Sequence, residues 1–177
     1  MTNQRFHPVS AIMHWVMFVL IAAALAAIEI RGDIPKGDPL RDTLRNWHML
    51  AGQLVFLCLL VRIAARIRYP APPALPAPRW QTGSAHLVHG VLYLLMLAIP
   101  VTGVLFYQAG GREVSFFGMV LPVLIAPNPD LKQNIREFHE LMGNAVYVVV
   151  GIHILGALYH QFIQKDGTLL RMLPWKK

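Results

Sequence analysis

The chain has 177 residues, of which 55% are hydrophobic and 14% are charged. Soluble domains carry about 25% charged residues, so this composition, with its apolar residues gathered in runs, excludes an ordinary soluble globule and points to a membrane protein. The net charge of +7 would suggest a nucleic-acid partner in a soluble chain; here the positive residues flank apolar runs, and no nucleic-acid partner is expected.

A bilayer crossing takes roughly 20 mostly apolar residues. Four runs qualify: 9–30, 47–65, 86–107 and 138–163. They use up most of the chain, so one membrane domain over 1–177 is expected, all-α, with no separate soluble part. The first run is not expected to be a signal peptide. No positive cluster precedes it, and it ends at Glu29-Ile30-Arg31 without a small-residue cleavage site. Alanines 22–24 and 26–27 keep that alternative open.

Residues 31–46, with Gly32, Pro35, Gly37 and Pro39, read as a short polar loop. Cys58 lies in the second run and reads as a small packing residue. As the one cysteine, it excludes an intramolecular disulfide and a cysteine metal cluster. Residues 66–85 are basic and proline-rich and read as extended chain without helix. Pro100 sits inside the third run, where a kink is expected. The longest loop, 108–137, contains the apolar stretch 116–125, too short to span. It either lies in the membrane interface or packs as a greasy loop on the bundle. The tail after Gly167 is short and basic and belongs at the membrane surface.

With the N-terminus in the cytoplasm, nine Lys and Arg fall inside and seven outside. That is the direction the positive-inside rule favours. Both termini are then cytoplasmic.

Four histidines lie inside or at the lip of the apolar runs: His14, His48, His139 and His153. An ionisable ring in hydrocarbon is costly and marks a functional position. His139 and His153 are 14 residues apart. On a helix that is about 21 Å of rise and about 40° short of four turns, so they share one face at two depths. Alternating spans put His48 and His139 at the outer ends of spans two and four. His14 and His153 lie toward the inner side of spans one and four. Pairs of side chains from facing helices are how bundle cores hold cofactors. Two histidines are too few for a closed tetrahedral zinc site, but they match the two axial positions of a haem. The expectation is an integral membrane four-helix bundle holding two b-type haems. His14 and His153 would ligate the inner iron, His48 and His139 the outer one.

Gly52 and Gly143 each follow an outer histidine by four, on the same face. A missing side chain there would let a flat ring approach, although close helix packing asks for the same small residues. Arg45 and Arg41 precede His48 by one and two turns, and Arg136 and Lys132 stand likewise to His139. These columns suit carboxylates such as haem propionates, and they equally suit interfacial anchoring. His86, His89 and His160 fall near the inner face. His89 and His160 have the chemistry to relay protons, with Asp166 near in sequence; water or lipid phosphate would satisfy them as well. His160 lies too close to water to compete with His153 as a ligand.

The chain resembles the bacterial cytochrome b561 family, four-span di-haem cytochromes. The matching residues are Ser10-Ala11-Ile12-Met13-His14-Trp15, Val61-Arg62-Ile63-Ala64-Ala65-Arg66 and Ala85-His86-Leu87-Val88-His89-Gly90. They continue with His139-Glu140, Gly151-Ile152-His153 and the segment from Lys165-Asp166-Gly167 to Pro174. The resemblance covers nearly the whole chain and is closest to the stand-alone superoxide:ubiquinone oxidoreductases of bacterial inner membranes. It implies the same histidine pairs, two haem b, superoxide as outside electron donor and ubiquinone as acceptor, in a multi-pass protein of the inner membrane that requires no protein partner. Arg45, Arg136 and Lys132 would then steer the superoxide anion locally, and His89 and His160 would serve quinone or proton. Two other readings compete: an electron-transfer subunit fed by a hydrogenase or dehydrogenase, and a non-haem metal transporter. The transporter would line its spans with acids, yet only Glu29 and Glu140 approach them.

Overall fold

A computed structural model describes residues 5–174. Four long helices dominate it: α1 (Pro8–Asp33), α2 (Pro39–Arg68), α3 (Arg79–Ala109) and α4 (Pro129–Tyr159). All four are long and apolar enough to cross a membrane. The chain is thus a membrane four-helix bundle. The start of α1 and the tail after α4 lie at one end of it, the termini end. The α1–α2 and α3–α4 connections lie at the other, the loop end.

Local chemistry sets where the helices start. Proline stands in the first turn of α1, α2 and α4, where its missing N–H is no loss and its fixed φ suits the helix. Asp38 Oδ1 accepts from Leu40 N at 2.8 Å, and Asn128 Oδ1 from Leu131 N at 3.0 Å. These caps carry α2 and α4 about two turns beyond their apolar runs. The polar loop expected over 31–46 therefore shrinks to 34–38. The proline-rich connection is non-helical only over 69–78, because α2 runs on to Arg68 and α3 begins after Pro78.

α1 packs along α2, and α3 along α4; the two hairpins meet mainly between α2 and α3. Met17, Val55 and Leu59 form one core cluster, with Tyr93 and Met96 against it. Leu95, Met142 and Val146 form another, which Ile21 and Leu25 of α1 join. Outward faces carry large apolar side chains such as Val19, Leu94 and Leu155, as a helix facing lipid requires. α3 stays helical through Pro100. Two residues on, Thr102 Oγ1 folds back to donate to Ala98 O and Ile99 O, at 3.0 and 2.9 Å.

The loop after α3 contains an antiparallel hairpin, β1 (Ser115–Phe116) and β2 (Met119–Val120). Phe117 and Gly118 form its tip, both at positive φ (48° and 81°), as a tight two-residue turn demands. Phe117, Met119 and Val120 are exposed, whereas Val114 at the base is buried. Gln53, from the apolar part of α2, donates to Ser115 O at 3.3 Å.

At the termini end α4 runs into a π-turn, His160–Gln164, followed by Lys165 in the left-handed region (φ 54°) and a 3-10 turn, Leu169–Met172. Arg171 ties this tail down. Its Nη2 donates to Pro73 O at 2.8 Å, and its carbonyl accepts from Phe6 N at 3.2 Å.

Candidate functional site

The loop end of the bundle sets two imidazoles opposite each other. His48 projects from α2, and its Nδ1 lies 2.9 Å from Ala24 O on α1. His139 projects from α4, and its Nδ1 lies 3.1 Å from both Ile99 O and Thr102 Oγ1 on α3. A carbonyl only accepts, so each Nδ1 carries the proton and donates. Each Nε2 is then left with its lone pair, the form in which a histidine binds a metal. The ring centroids are 6.2 Å apart with planes 79° from parallel. A metal–nitrogen bond of about 2 Å plus an imidazole half-width of about 1 Å, counted on both sides, puts two trans ligands about 6 Å apart.

Gly103 of α3 makes room for this pair. A Cβ there would meet His139 Cε1 at 3.2 Å and Nδ1 at 3.6 Å. Phe106 also lies against the His139 ring, 6.0 Å between centroids. The sequence did not mark Gly103. It belongs to the third span, and its value depends on knowing that α3 faces His139. Gly52 and Gly143, which the sequence did mark, have no atom within 4 Å of an added Cβ.

The termini end holds a second set. The rings of His14 (α1) and His153 (α4) are 6.0 Å apart, 65° from parallel. His89 of α3 joins them, 5.3 Å from His153. Spacing alone had placed His89 among the interfacial histidines; the fold brings it into the same ring cluster. Arg62, from the second span, lies across this end. Its Nη1 donates to Ser10 O at 3.0 Å and its Nε to Tyr93 Oη at 3.2 Å.

Among the described residues no group of three or more His, Cys, Asp or Glu is arranged to hold a metal ion. Each histidine pair offers two axial donors in apolar surroundings, and a planar tetradentate ring is the kind of group that completes such a set. The donors, their protonation and their separation fit haem b.

The basic columns turn out unequal. Arg41 Nη1 donates to Arg31 O at 2.8 Å and to Ile34 O at 2.5 Å, so it caps the C-terminus of α1. Arg45 pairs with Asp42 and Arg136 with Glu140, each at 2.8 Å. Lys132 lays its stem over Gly110, 3.2 Å from where a Cβ would stand.

His160 is drawn away from the other histidines. Its Nδ1 pairs with Asp166 Oδ2 at 2.5 Å, and Asp166 Oδ1 accepts from Thr168 N at 2.9 Å. Burial pushes the Asp166 carboxyl up, but the hydrogen bonds from His160 and Thr168 outweigh it and hold the group below the usual carboxylate range. Beside this pair, Gln161, Phe162, Lys165, Gly167 and Leu170 line a cavity of about 270 Å³.

Comparison with known proteins covers the whole of this architecture. A family model described as prokaryotic cytochrome b561 matches residues 5–175. Cytochrome b561 homolog 1 of Escherichia coli (strain K12) is 36% identical over 174 residues, 98% of this chain and 99% of the relative. The probable superoxide oxidase CybB of Yersinia pestis is 35% identical over 166 residues, 93% of each chain. Cytochrome b561 homolog 2 of Escherichia coli (strain K12) is 30% identical over 174 residues, 97% of this chain and 93% of the relative.

Proposed function

This chain belongs to the prokaryotic cytochrome b561 family, membrane electron-transfer proteins that bind haem b, and on that premise we propose that it is a superoxide:ubiquinone oxidoreductase of the bacterial inner membrane. Two superoxide anions, one ubiquinone and two protons become two molecules of dioxygen and one ubiquinol. The loop end faces the periplasm and both termini face the cytoplasm.

His48 and His139 hold one haem at the loop end, and His14 and His153 hold a second at the termini end. When bound, each haem supplies a one-electron iron couple, closed to oxygen by its two histidines. Ala24 O and Ile99 O fix the orientation of the two loop-end imidazoles and raise their basicity. Gly52 and Gly143 leave their helix faces bare beside those histidines. Lys132 and Arg136 stand where an approaching anion meets the loop end and attract superoxide locally. His160, hydrogen-bonded to Asp166 beside the cavity at the other end, passes protons from the cytoplasm toward a quinone headgroup. His89 stands between that region and His153. No protein partner is required by this scheme.

The observation that carries the reading is the pair of imidazoles at each end, 6.2 and 6.0 Å apart, in a chain 35% identical to a probable superoxide oxidase. Two measurements test it. A reduced-minus-oxidised spectrum of the purified protein has a sharp b-type α band. Mixed rapidly with superoxide, the protein is reduced, and added ubiquinone reoxidises it with catalytic turnover. A haem protein that superoxide fails to reduce, but that a partner dehydrogenase reduces, would be an electron-transfer subunit instead.

A further inference from the structure

Four arginines from three helices converge at the loop end: Arg31 on α1, Arg41 and Arg45 on α2, and Arg136 on α4. Arg41 is spent on the carbonyls that end α1. Arg136 pairs with Glu140 at the surface, where both side chains are more than half exposed. Arg31 and Arg45 differ from these. Each keeps a buried Nε–H without a hydrogen-bond acceptor among the described residues.

Their positions are related. Arg45 lies one turn before His48 on α2. Arg31 lies two turns beyond Ala24 on α1, within about 20° of the same face. Ala24 is the residue whose carbonyl holds His48. Two orphaned donors on two helices therefore stand on the solvent side of one imidazole, on the faces that turn toward it. A buried guanidinium N–H without an acceptor is destabilising. Arg31 adds to this by standing among three like charges, against which Asp42 is one acid, already paired with Arg45. Such a cluster calls for an anion of its own.

We propose that Arg31 and Arg45 form a two-helix carboxylate clamp for the group held between His48 and His139, which in the haem reading means that haem's propionates. The assignment rests on the haem reading and refines it. A guanidinium is a planar fork matched to a carboxylate. The clamp divides the basic residues by task. Arg31 and Arg45 hold a resident anion, Arg41 closes a helix, and Lys132 and Arg136 are left to meet an anion arriving from solution.

Redox titration of the purified haem-loaded protein tests this. In Arg31→Gln, and separately in Arg45→Gln, the midpoint potential of one haem falls while that of the other stays. Removing a positive charge beside a carboxylate favours the oxidised iron. Arg136→Gln moves neither potential. The salt dependence of reduction by superoxide is retained in Arg31→Gln and weakened in Lys132→Gln. If Arg31→Gln weakens the salt dependence and leaves both potentials in place, the pair takes the superoxide anion and the clamp is overturned. Wild-type protein without a b-type band would overturn the haem reading itself, a separate failure. Should Arg31→Gln not retain its haem, Arg31→Lys decides. It keeps the charge and is expected to restore the haem, whereas loss of haem there too would mean a packing role and end the proposal.

Discussion

Gly103 is the residue on which the loop-end histidines depend most directly. The contact of 3.2 Å that a Cβ would make with His139 is tighter than packed side chains normally allow. Gly103→Ala should therefore displace the ring and weaken its bonds to Ile99 O and Thr102 Oγ1. Overpacking of this kind costs about 1–3 kcal/mol, so the melting temperature falls and, with two haems as proposed, haem per protein, measured as the pyridine adduct, drops toward one. Gly52 and Gly143 allow a sharper distinction, because nothing in the protein lies within 4 Å of an added Cβ. If these glycines serve helix packing alone, Gly52→Ala and Gly143→Ala are harmless and slightly stabilising, since alanine is the better helix former by about 1 kcal/mol. If a flat ring lies over them, both variants lose haem while the apoprotein melts no earlier. A haem content unchanged from wild type would sink the second idea. These glycines could be picked out of the sequence because they follow a histidine by one turn. Gly103 could not, because its neighbour lies on another helix, and only the α3–α4 pairing gives it meaning. His89 escaped for the same reason: its ring contact with His153 is made across helices.

The helical elements were legible from hydropathy, but their ends were not. Apolar runs mark where lipid is, and the caps at Asp38 and Asn128 mark where helix begins; the two differ by about two turns. The stretch 116–125 was legible as apolar and too short to span, while its hairpin depends on a Phe117-Gly118 turn that composition does not announce. Its base is held by Gln53 from inside the α2 span, and its tip exposes Phe117 and Met119. The expected behaviour is insertion of the tip into the outer part of the bilayer. Phe117→Trp in liposomes should then emit at short wavelength and be quenched by lipids brominated high on the chain; emission at the wavelength of tryptophan in water would exclude it. The π-turn at the other end carries a pH dependence. Insertions of this kind recur at functional sites, and here the turn aims His160 at Asp166. The Asp166 carboxyl is held below its ordinary value by His160 and Thr168 against the opposing effect of burial. Its contribution to the tail is thus present above the unfolded carboxylate pKa of about 3.9 and is lost as pH falls through the lower folded value. Amide exchange over 165–172 should be slow and flat between pH 5 and 8 once corrected for intrinsic rates. Asp166→Asn should raise it across that whole window, and no change in Asp166→Asn would show that the tail is held by its other contacts, those of Arg171 and the Trp15 bond to Met172 O.

At the scale of the whole molecule, the two histidine pairs share one helix, α4, which supplies a member to each, His139 and His153, 14 residues apart. That is about 21 Å of rise, most of the hydrocarbon thickness of about 30 Å. In the proposed orientation superoxide is oxidised at the periplasmic side, while the His160–Asp166 pair and its cavity open at the cytoplasmic side. Electrons then enter from outside and protons from inside, so two charges cross the membrane for each ubiquinol formed. Moving one charge against 100 mV takes about 2.3 kcal/mol, so two take about 4.6 kcal/mol, enough to slow turnover as the potential grows. In proteoliposomes with superoxide generated outside and the loop end outward, a potential positive outside and negative inside should develop. Each superoxide that becomes neutral dioxygen removes one negative charge from the outer phase, and each proton taken up removes one positive charge from the lumen, so two charges are separated for each ubiquinol. The lumen accordingly becomes negative and alkaline together. A potential-sensitive dye should register the first and an entrapped pH dye the second. An uncoupler should abolish both and speed quinone reduction. A lumen whose pH stays constant while no potential forms, or an uncoupler without effect on the rate, would place proton uptake on the same side as superoxide and remove the charge separation from the scheme.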